Sequence, residues 1–240
     1  MTGPLRSPLH QMKKRIGADG FRVIEAWLRR EALKRRRSSR CQPQASYRQP
    51  ASTARTSAWS SRDPHDTRRG LGYQSLFLVG IEGFPLGHVE APLNVNEKQL
   101  VEEPLTRVLG ESIEVELLAA DSQFESQAVF ELLESLRMSH IIAWRRLKRR
   151  VNPPDVLTVK DRIDVEGPEW MRTVYKRLRA VVEGFNGRAK SRLAYQRLTW
   201  QGLDNAGIHV GLVLMVVYAV CIAAYGIGRP ELRQSVTFFA

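Results

Sequence analysis

The chain is poor in the residues that usually carry metal or nucleophile chemistry. It holds 2 cysteines, Cys41 and Cys221, and 5 scattered histidines. Two such cysteines cannot build a disulfide framework. Neither Cys-x-x-Cys nor His-Glu-x-x-His occurs, and the glycine-rich phosphate and dinucleotide fingerprints are missing. The sequence therefore predicts no catalytic residue, no cofactor and no metal ligand, and it indicates an accessory subunit of an enzyme complex at most, not an enzyme.

Acidic residues are scarce in the first quarter of the chain. Residues 1–62 hold fifteen Lys and Arg against three acids, whereas residues 63–240 hold 22 of each. This first segment therefore accounts for the whole net charge of +12. An Arg- and Ser-rich, acid-poor composition is typical of a mitochondrial transit peptide. Two alternatives stay open, a retained basic extension and a nucleic-acid arm, although the arm would lack interleaved aromatic residues.

Formal charge is absent from residues 205–228 of a chain that is 26% charged. A helix rises about 1.5 Å per residue, so about twenty such residues cross the roughly 30 Å hydrocarbon core of a bilayer. The sequence therefore predicts one transmembrane helix here, followed by a short tail over 229–240. Eight Lys and Arg against two acids lie between Met171 and Asn205. The positive-inside rule places that basic side in the matrix, stroma or cytoplasm.

Small residues recur at four-residue spacing in and around this apolar segment, and such spacing lets helix backbones approach closely. The predicted helix-packing residues are Gly207, Gly211, Ala219, Ala223, Ala224 and Gly228. Basic and aromatic residues ahead of the segment are predicted to lie at the membrane surface and to bind anionic lipid such as cardiolipin. These residues are Arg188, Lys190, Arg192, Tyr195, Arg197 and Trp200. His209 is expected to be hydrogen-bonded to a neighbour.

Strand and helix patterns alternate between residues 63 and 151. Strands are predicted over 75–81 and 113–120, a short helix interrupted by Pro104 over 96–109, and a long amphipathic helix over 122–150. Together they predict a small soluble α/β or α+β domain.

Prolines 153 and 154 end that domain. Residues 152–204 are predicted to form a linker and a basic amphipathic helix that opens at Gly167-Pro168-Glu169. The expected fold class is a mainly α membrane protein: an amphipathic helix plus one C-terminal transmembrane helix, preceded by the small α/β or α+β matrix domain.

Residues 156–233 resemble subunit f of the mitochondrial F-type ATP synthase. The stretches that carry the resemblance are VLTVK, GPEWM, FNGR, AYQRL, the apolar run GIHVGLVLMVVYAV and ELR. The resemblance implies a non-catalytic structural subunit of the membrane sector, without a cofactor, in the mitochondrial inner membrane with its C-terminus in the intermembrane space. The implied partners are the other membrane-sector subunits, and the implied role is support of the proton-conducting subunit, the peripheral stalk and the dimer. Residues 63–150 have no counterpart in that family.

Two alternatives to this function stay open. One is an accessory single-span subunit of a respiratory-chain complex, and the other is a membrane-tethered mitochondrial protein that binds RNA or the ribosome through its basic segments. Nucleic acid is not the favoured partner, because the basic segments match no nucleic-acid-binding fold.

Overall fold

The structure is a computed structural model that describes residues 8–38, 49–57, 72–111, 113, 115–142, 169–195 and 202–239. The chain forms two compact units. The helical unit contains residues 1–43 and 192–240, and the sheet unit contains residues 44–191. The sequence predicted five consecutive segments, 1–62, 63–151, 152–204, 205–228 and 229–240. Those boundaries stay a prediction, while the structure brings the two ends of the chain into one unit.

A five-stranded mixed sheet forms the centre of the sheet unit. Its strands are β1 (Gln49–Ser57), β2 (Tyr73–Gly80), β3 (Pro85–Pro92), β4 (Val115–Ala120) and β5 (Ser139–Ile142). Their order across the sheet is β3-β2-β1-β4-β5. Strand β2 is antiparallel to β1 and β3, whereas β4 is parallel to β1 and β5. Helix α2 (Glu102–Gly110) connects β3 to β4, and helix α3 (Gln127–Ser135) connects β4 to β5.

The hairpin of β2 and β3 depends on two glycines. Gly83 adopts a positive φ of 74° in the turn, and its N–H donates to the Gly80 carbonyl at 2.8 Å. Glycine adopts such a φ without steric cost. Gly87 lies where α2 crosses β3, and a Cβ atom there would approach Val108 Cγ2 to 2.8 Å. The absence of a side chain at Gly87 therefore lets α2 lie close to the sheet.

The helix predicted over 122–150 is much shorter in the structure. Helix α3 begins after Ser126, whose Oγ accepts from Val129 N at 3.3 Å, and it ends at Ser135. Met138 N donates to the Leu133 carbonyl and Arg137 N to the Glu134 carbonyl, both at 2.9 Å, which is the Schellman pattern. Arg137 takes the left-handed position, with φ 53°. The predicted length was wrong because an arginine, instead of the usual glycine, takes the left-handed position that ends the helix, and β5 follows directly.

The amphipathic helix predicted after residue 167 is confirmed as α4 (Glu169–Arg192). Its buried face consists of Leu178, Val182, Phe185 and Ala189. The Phe185 ring meets the Phe77 ring of β2 edge to face, with centroids 5.3 Å apart and planes at 67°. Helix α4 therefore packs on the face of the sheet that carries Phe77.

The helical unit pairs α1 (Pro8–Ser38) with α5 (Leu203–Gly226). Phe21, Ala32 and Leu33 are among the buried residues of α1. Tyr218 of α5 is fully buried, and its hydroxyl donates to Glu25 Oε1 of α1 at 3.4 Å. The buried carboxylate of Glu25 therefore has a hydrogen-bond donor on α5, as a buried polar group in a protein interior requires.

The predicted fold class, a mainly α membrane protein, is wrong. Helix α5 is long and apolar enough to cross a membrane by length and composition, but half of its most apolar stretch is buried within the chain. An apolar helix suits either a bilayer or a protein core, and here α5 packs against α1. The sheet, which the sequence had made a minor matrix domain, is the main structure. Strand β1 lies at its centre although it falls within the predicted basic segment 1–62.

Candidate functional site

Asp121 lies at the carboxyl end of β4, immediately after its last residue, Ala120. Its Oδ1 accepts from Gln123 N at 2.9 Å, which starts the single helical turn Ser122–Phe124. Phe124 is 2% exposed and anchors this turn in the core, whereas Asp121 itself is half-buried. In α/β sheets, ligands bind at the carboxyl ends of parallel strands. Asp121 therefore occupies a position suited to a functional carboxylate.

The strand register shows which face of the sheet Asp121 shares. His88 pairs with Phe77, and Phe77 pairs with Ala54. Ser52 pairs with Ala119 in the last β1–β4 pair, and Asp121 follows Ala119 by two residues, just beyond the end of β4. Paired residues share a face of a sheet, since successive residues alternate between faces. Asp121 therefore belongs to the face on which α4 packs at Phe77.

Helix α4 carries seven Lys and Arg against two Glu. Lys176, Arg177, Arg179 and Arg192 are exposed, and Arg188 is half-buried. Burial lowers the pKa of Arg188 below its usual value. The exposed side of α4, opposite the side that packs on the sheet at Phe77, is therefore positively charged.

One glutamate of α4 is held by this basic surface. Arg179 Nε donates to Glu183 Oε1 at 2.9 Å, and the pair is well exposed. The hydrogen bond to Glu183, followed by one to Tyr175, raises the pKa of Arg179. Glu183 precedes Phe185 by two residues, about 200° around the helix, so its exposed side chain lies on the side of α4 opposite the buried Phe185. Its charge is largely balanced by Arg179.

A buried histidine and glutamate flank the same face of the sheet at β3. His88 Nδ1 lies 2.6 Å from Glu90 Oε1, and both side chains are almost completely buried. Arg107 Nη1 of α2 donates to the His88 carbonyl at 3.3 Å. These contacts fasten α2 to β3 and give the pair a structural explanation.

The predicted helix-packing residues do not share one environment. Gly211 and Ala224 are buried, Gly207 and Ala223 are half-exposed, and Ala219 and Gly228 are exposed. A Cβ atom at Gly211 would have nothing within 4 Å, so no other backbone is pressed against it. The packing role of these residues stays a prediction.

The predicted membrane-surface residues are also separated. Arg188, Lys190 and Arg192 belong to α4, while Tyr195 is buried in the helical unit with its ring 6.4 Å from the His209 ring. Arg197 and Trp200 lie outside the described residues. The predicted hydrogen bond of His209 is confirmed, because its Nε2 lies 3.0 Å from the Tyr195 carbonyl.

Sequence reasoning missed Asp121 and Glu183. A signal was present for Asp121, because it directly follows the continuous apolar end of a predicted strand. For Glu183 the signal was its spacing of four residues from Arg179 in a basic helix. Neither signal distinguishes a site from an ordinary surface acid without the sheet register.

These features define a class: a mixed-sheet α/β fold with a carboxylate at the carboxyl edge of its parallel strands and a basic helix on the same face. The family described as the transposase DDE domain matches residues 48–218. The chain therefore belongs to the transposase DDE-domain family. No curated protein matches the chain.

Three solved structures are similar to the chain at low identity. The catalytic core domain of BIV integrase is 14% identical, with 68% of this chain and 80% of that one covered and a TM-score of 0.38. The piggyBac transposase synaptic complex with hairpin DNA is 10% identical, with 81% and 52% covered and a TM-score of 0.42. The Mos1 mariner paired end complex with Mn is 15% identical, with 94% and 65% covered and a TM-score of 0.29. The chain thus spans about half of the piggyBac chain, and the family assignment rests on the family match alone.

This assignment corrects several expectations. The resemblance to ATP synthase subunit f was wrong, because the matched family covers most of the same residues. The proposed roles in a membrane sector, in a respiratory complex or as an RNA tether fall with it. The expected partners were also wrong: they were membrane-sector subunits and anionic lipid, and nucleic acid was not favoured. The statement that the chain is not an enzyme was also wrong, since the family is one of transposases. The mitochondrial inner-membrane location stays an untested prediction.

The described residues do not complete a metal centre built from several carboxylates. Asp121 offers the oxygen ligand that Mg²⁺ prefers. Strand β1 beside it reads QPASTARTS and contains no acidic residue. Within the described ranges, no group of three or more His, Cys, Asp or Glu could hold a metal ion. Asp63 and Asp66 follow β1 in sequence but lie outside those ranges.

Proposed function

We propose that this chain is a DNA transposase: it binds DNA and acts on the phosphodiester backbone, with Asp121 in the reacting site. The observation that carries the proposal is the position of Asp121 at the carboxyl edge of β4, beside β1 and on the α4 face, within the residues that match the family. The letters of the family description stand for two aspartates and a glutamate. Asp121 is our candidate for one of these aspartates.

The charge of α4 supports DNA as the substrate. Phosphate groups are recognised by Lys and Arg, and this electrostatic term dominates non-specific affinity for DNA. Lys176 and Arg177 are adjacent and exposed on α4, so both side chains can contact a phosphate backbone while α4 stays helical. The other exposed basic residues of α4, Arg179 and Arg192, extend the positive charge along the helix.

Binding is tested with the full chain and a random 40-base-pair duplex, by fluorescence anisotropy over a series of salt concentrations. We expect log K to fall linearly with log salt, at about −0.9 per neutralised phosphate. The double variant Lys176→Ala with Arg177→Ala should flatten this slope by about 1 to 2. The matched control, Arg22→Ala with Lys34→Ala, removes two exposed charges from α1 and should leave the slope unchanged. A slope that the α4 double variant leaves unchanged would reject α4 as the DNA-binding surface.

Strand cleavage is tested on supercoiled plasmid with Mg²⁺ or Mn²⁺ in the buffer. Removing a group that takes part in the reacting site costs on the order of 10²–10⁴ in rate, so Asp121→Asn should abolish detectable nicking. Glu134→Gln, an exposed position on α3, serves as the matched control and should nick at the wild-type rate. Equal nicking by wild type and Asp121→Asn would remove Asp121 from the site.

A further inference from the structure

We propose that Lys98 is a further substrate-contact residue, whose ammonium group binds a DNA phosphate at the sheet edge that carries Asp121. The inference rests on the proposed function and names a residue of the same site. It follows from the position of Lys98 in the fold, from its hydrogen bond next to the turn that Asp121 begins, and from its unbalanced charge.

The strand directions bring Lys98 to the edge of the sheet at which β4 ends. Strand β2 is antiparallel to both β1 and β3, and β4 is parallel to β1, so β3 and β4 point the same way. Lys98 belongs to the helical turn Glu97–Leu100, which follows β3. Asp121 follows β4. The segment after β3 and the segment after β4 therefore leave the sheet at one edge.

The Lys98 side chain joins these two segments. Its Nζ donates to the carbonyl of Glu125, and both residues are half-buried. Phe124 N donates to the Asp121 carbonyl at 3.1 Å, which closes a turn directly before Glu125. A turn of this kind keeps its first and last Cα atoms within about 7 Å of each other. The ammonium group of Lys98 is therefore held beside the turn that Asp121 begins.

The charge of Lys98 is not balanced by an acid. Where the structure describes the chain, no carboxylate forms an ion pair with Lys98, whereas Arg107 on the following helix α2 pairs with Glu103. An ammonium group carries three N–H donors, and the Glu125 carbonyl takes one of them. A partly buried charge is stabilised by a counter-ion with acceptor oxygens, as in a phosphate group. Lys98 therefore offers a fixed cation with donors left for a phosphate.

Lys98 differs in its place from the basic residues of α4. Those residues lie on the exposed side of α4, opposite the side that packs on the sheet, and suit the non-specific attraction of DNA. The effective dielectric constant near a protein surface is about 20, against about 80 in water, so a half-buried lysine attracts a phosphate roughly four-fold more strongly than a fully solvated one. Lys98 therefore positions the DNA backbone at the edge where Asp121 stands.

Anisotropy titrations of the full chain with the random 40-base-pair duplex, over a series of salt concentrations, test this contact. Lys98→Gln keeps a side-chain N–H donor but removes the charge. The slope of log K against log salt should therefore flatten by about 1, and the affinity at low salt should fall about 10-fold. Lys98→Arg keeps the charge and should restore both values to near wild type. The matched control, Lys34→Gln, removes an exposed charge from α1 and should change neither value.

Acetylation of the wild-type chain tests the same contact without a substitution. Lysines are labelled with N-hydroxysuccinimide acetate, with and without the duplex, and the labelling rates are measured by mass spectrometry. At a duplex concentration about ten times Kd, about one tenth of the chain is free. Acetylation of Lys98 should therefore slow about 10-fold, while acetylation of Lys34 should keep its rate.

Three results would overturn the inference while DNA binding by the wild-type chain stands. The first is an unchanged salt slope in Lys98→Gln, and the second is equal acetylation of Lys98 with and without the duplex. The third is a loss of affinity in both Lys98→Gln and Lys98→Arg together with faster hydrogen exchange of residues 121–126, because Lys98 would then only support the turn. Failure of the wild-type chain to bind DNA at low salt would instead reject the proposed function itself, so the two failures are distinguishable.

Discussion

The contact between Phe185 of α4 and Phe77 of β2 should hold the basic helix on the sheet. Both side chains are fully buried, at 1% and 0% exposure, and the rings meet edge to face at 5.3 Å. Truncation of a buried Phe to Ala costs about 3–5 kcal/mol through lost transfer energy and the cavity left behind. Phe185→Leu keeps most of the volume but removes the ring, so it should lose the aromatic contact, about 0.5–1.5 kcal/mol, and a smaller packing term.

A double-mutant cycle isolates that contact. Phe185→Leu and Phe77→Leu are made singly and together, and the free energy of unfolding is measured by urea denaturation of the full chain. Because the two units need not unfold together, hydrogen exchange of peptides 73–92 and 169–192 assigns the transition to the sheet unit. The coupling energy should be about 0.5–1.5 kcal/mol, and the α4 peptide should lose more protection than the β2–β3 peptide.

The control cycle pairs Phe77→Leu with Phe21→Leu. Phe21 belongs to the helical unit and is 3% exposed. Independent sites add to within about 0.3–0.5 kcal/mol, so this cycle should show no coupling. A coupling below about 0.3 kcal/mol between Phe185 and Phe77 would refute the packing of α4 on this face of the sheet.

Three further changes test the local physics of the fold by thermal denaturation of the full chain. Gly87→Ala should destabilise by about 1–3 kcal/mol because its Cβ would meet Val108 Cγ2 at 2.8 Å, whereas Gly110→Ala, with nothing within 4 Å, should be neutral or stabilise by up to about 1 kcal/mol. Equal effects would contradict the close approach of α2. Ser126→Ala removes the cap of α3 and should cost about 0.5–2 kcal/mol, while Ser126→Asp should retain most of the stability. Tyr218→Phe removes a buried hydrogen bond to Glu25 and should cost about 1–3 kcal/mol; a wild-type melting temperature would reject this contact.

Much of the sheet unit could be predicted from sequence because its burial is local and apolar. Strands β2 and β4 contain continuous apolar runs, and α4 shows buried positions at three- and four-residue steps. Strand β1 gave no such signal, since QPASTARTS has no apolar alternation. Its strand conformation depends on pairing with β2 and β4 on either side, and pairing between distant segments is not visible in a local pattern.

Helix α5 was identified correctly as a helix, and the membrane fold class that was built on it was wrong. An all-apolar helix has the same composition whether lipid or protein surrounds it. Its partner, α1, is a basic helix, and the buried residues that meet α5 are only a narrow part of it. Whether protein or lipid surrounds α5 therefore could not be predicted from α5 itself, because its partner α1 lies at the other end of the chain.

The candidate site was invisible for a related reason. A single Asp after a strand is common, and Asp121 gained meaning only when the register placed it on the α4 face with β1 beside it. Composition had also suggested that the basic residues Arg188, Lys190, Arg192 and Arg197 face lipid headgroups, because Lys and Arg attract any polyanion. Charge alone does not identify the anion.

The pairing of α1 with α5 has a consequence for the order in which the protein is made. About 165 residues separate the end of α1 from the start of α5, so α1 leaves the ribosome long before its partner exists. At about 5–20 residues per second, the wait is roughly 8–33 s. During that interval the sheet unit can complete its core, while Phe21 and Leu33 of α1 remain without the helix that buries them. The helical unit therefore forms last, only after the whole sheet unit has been synthesised.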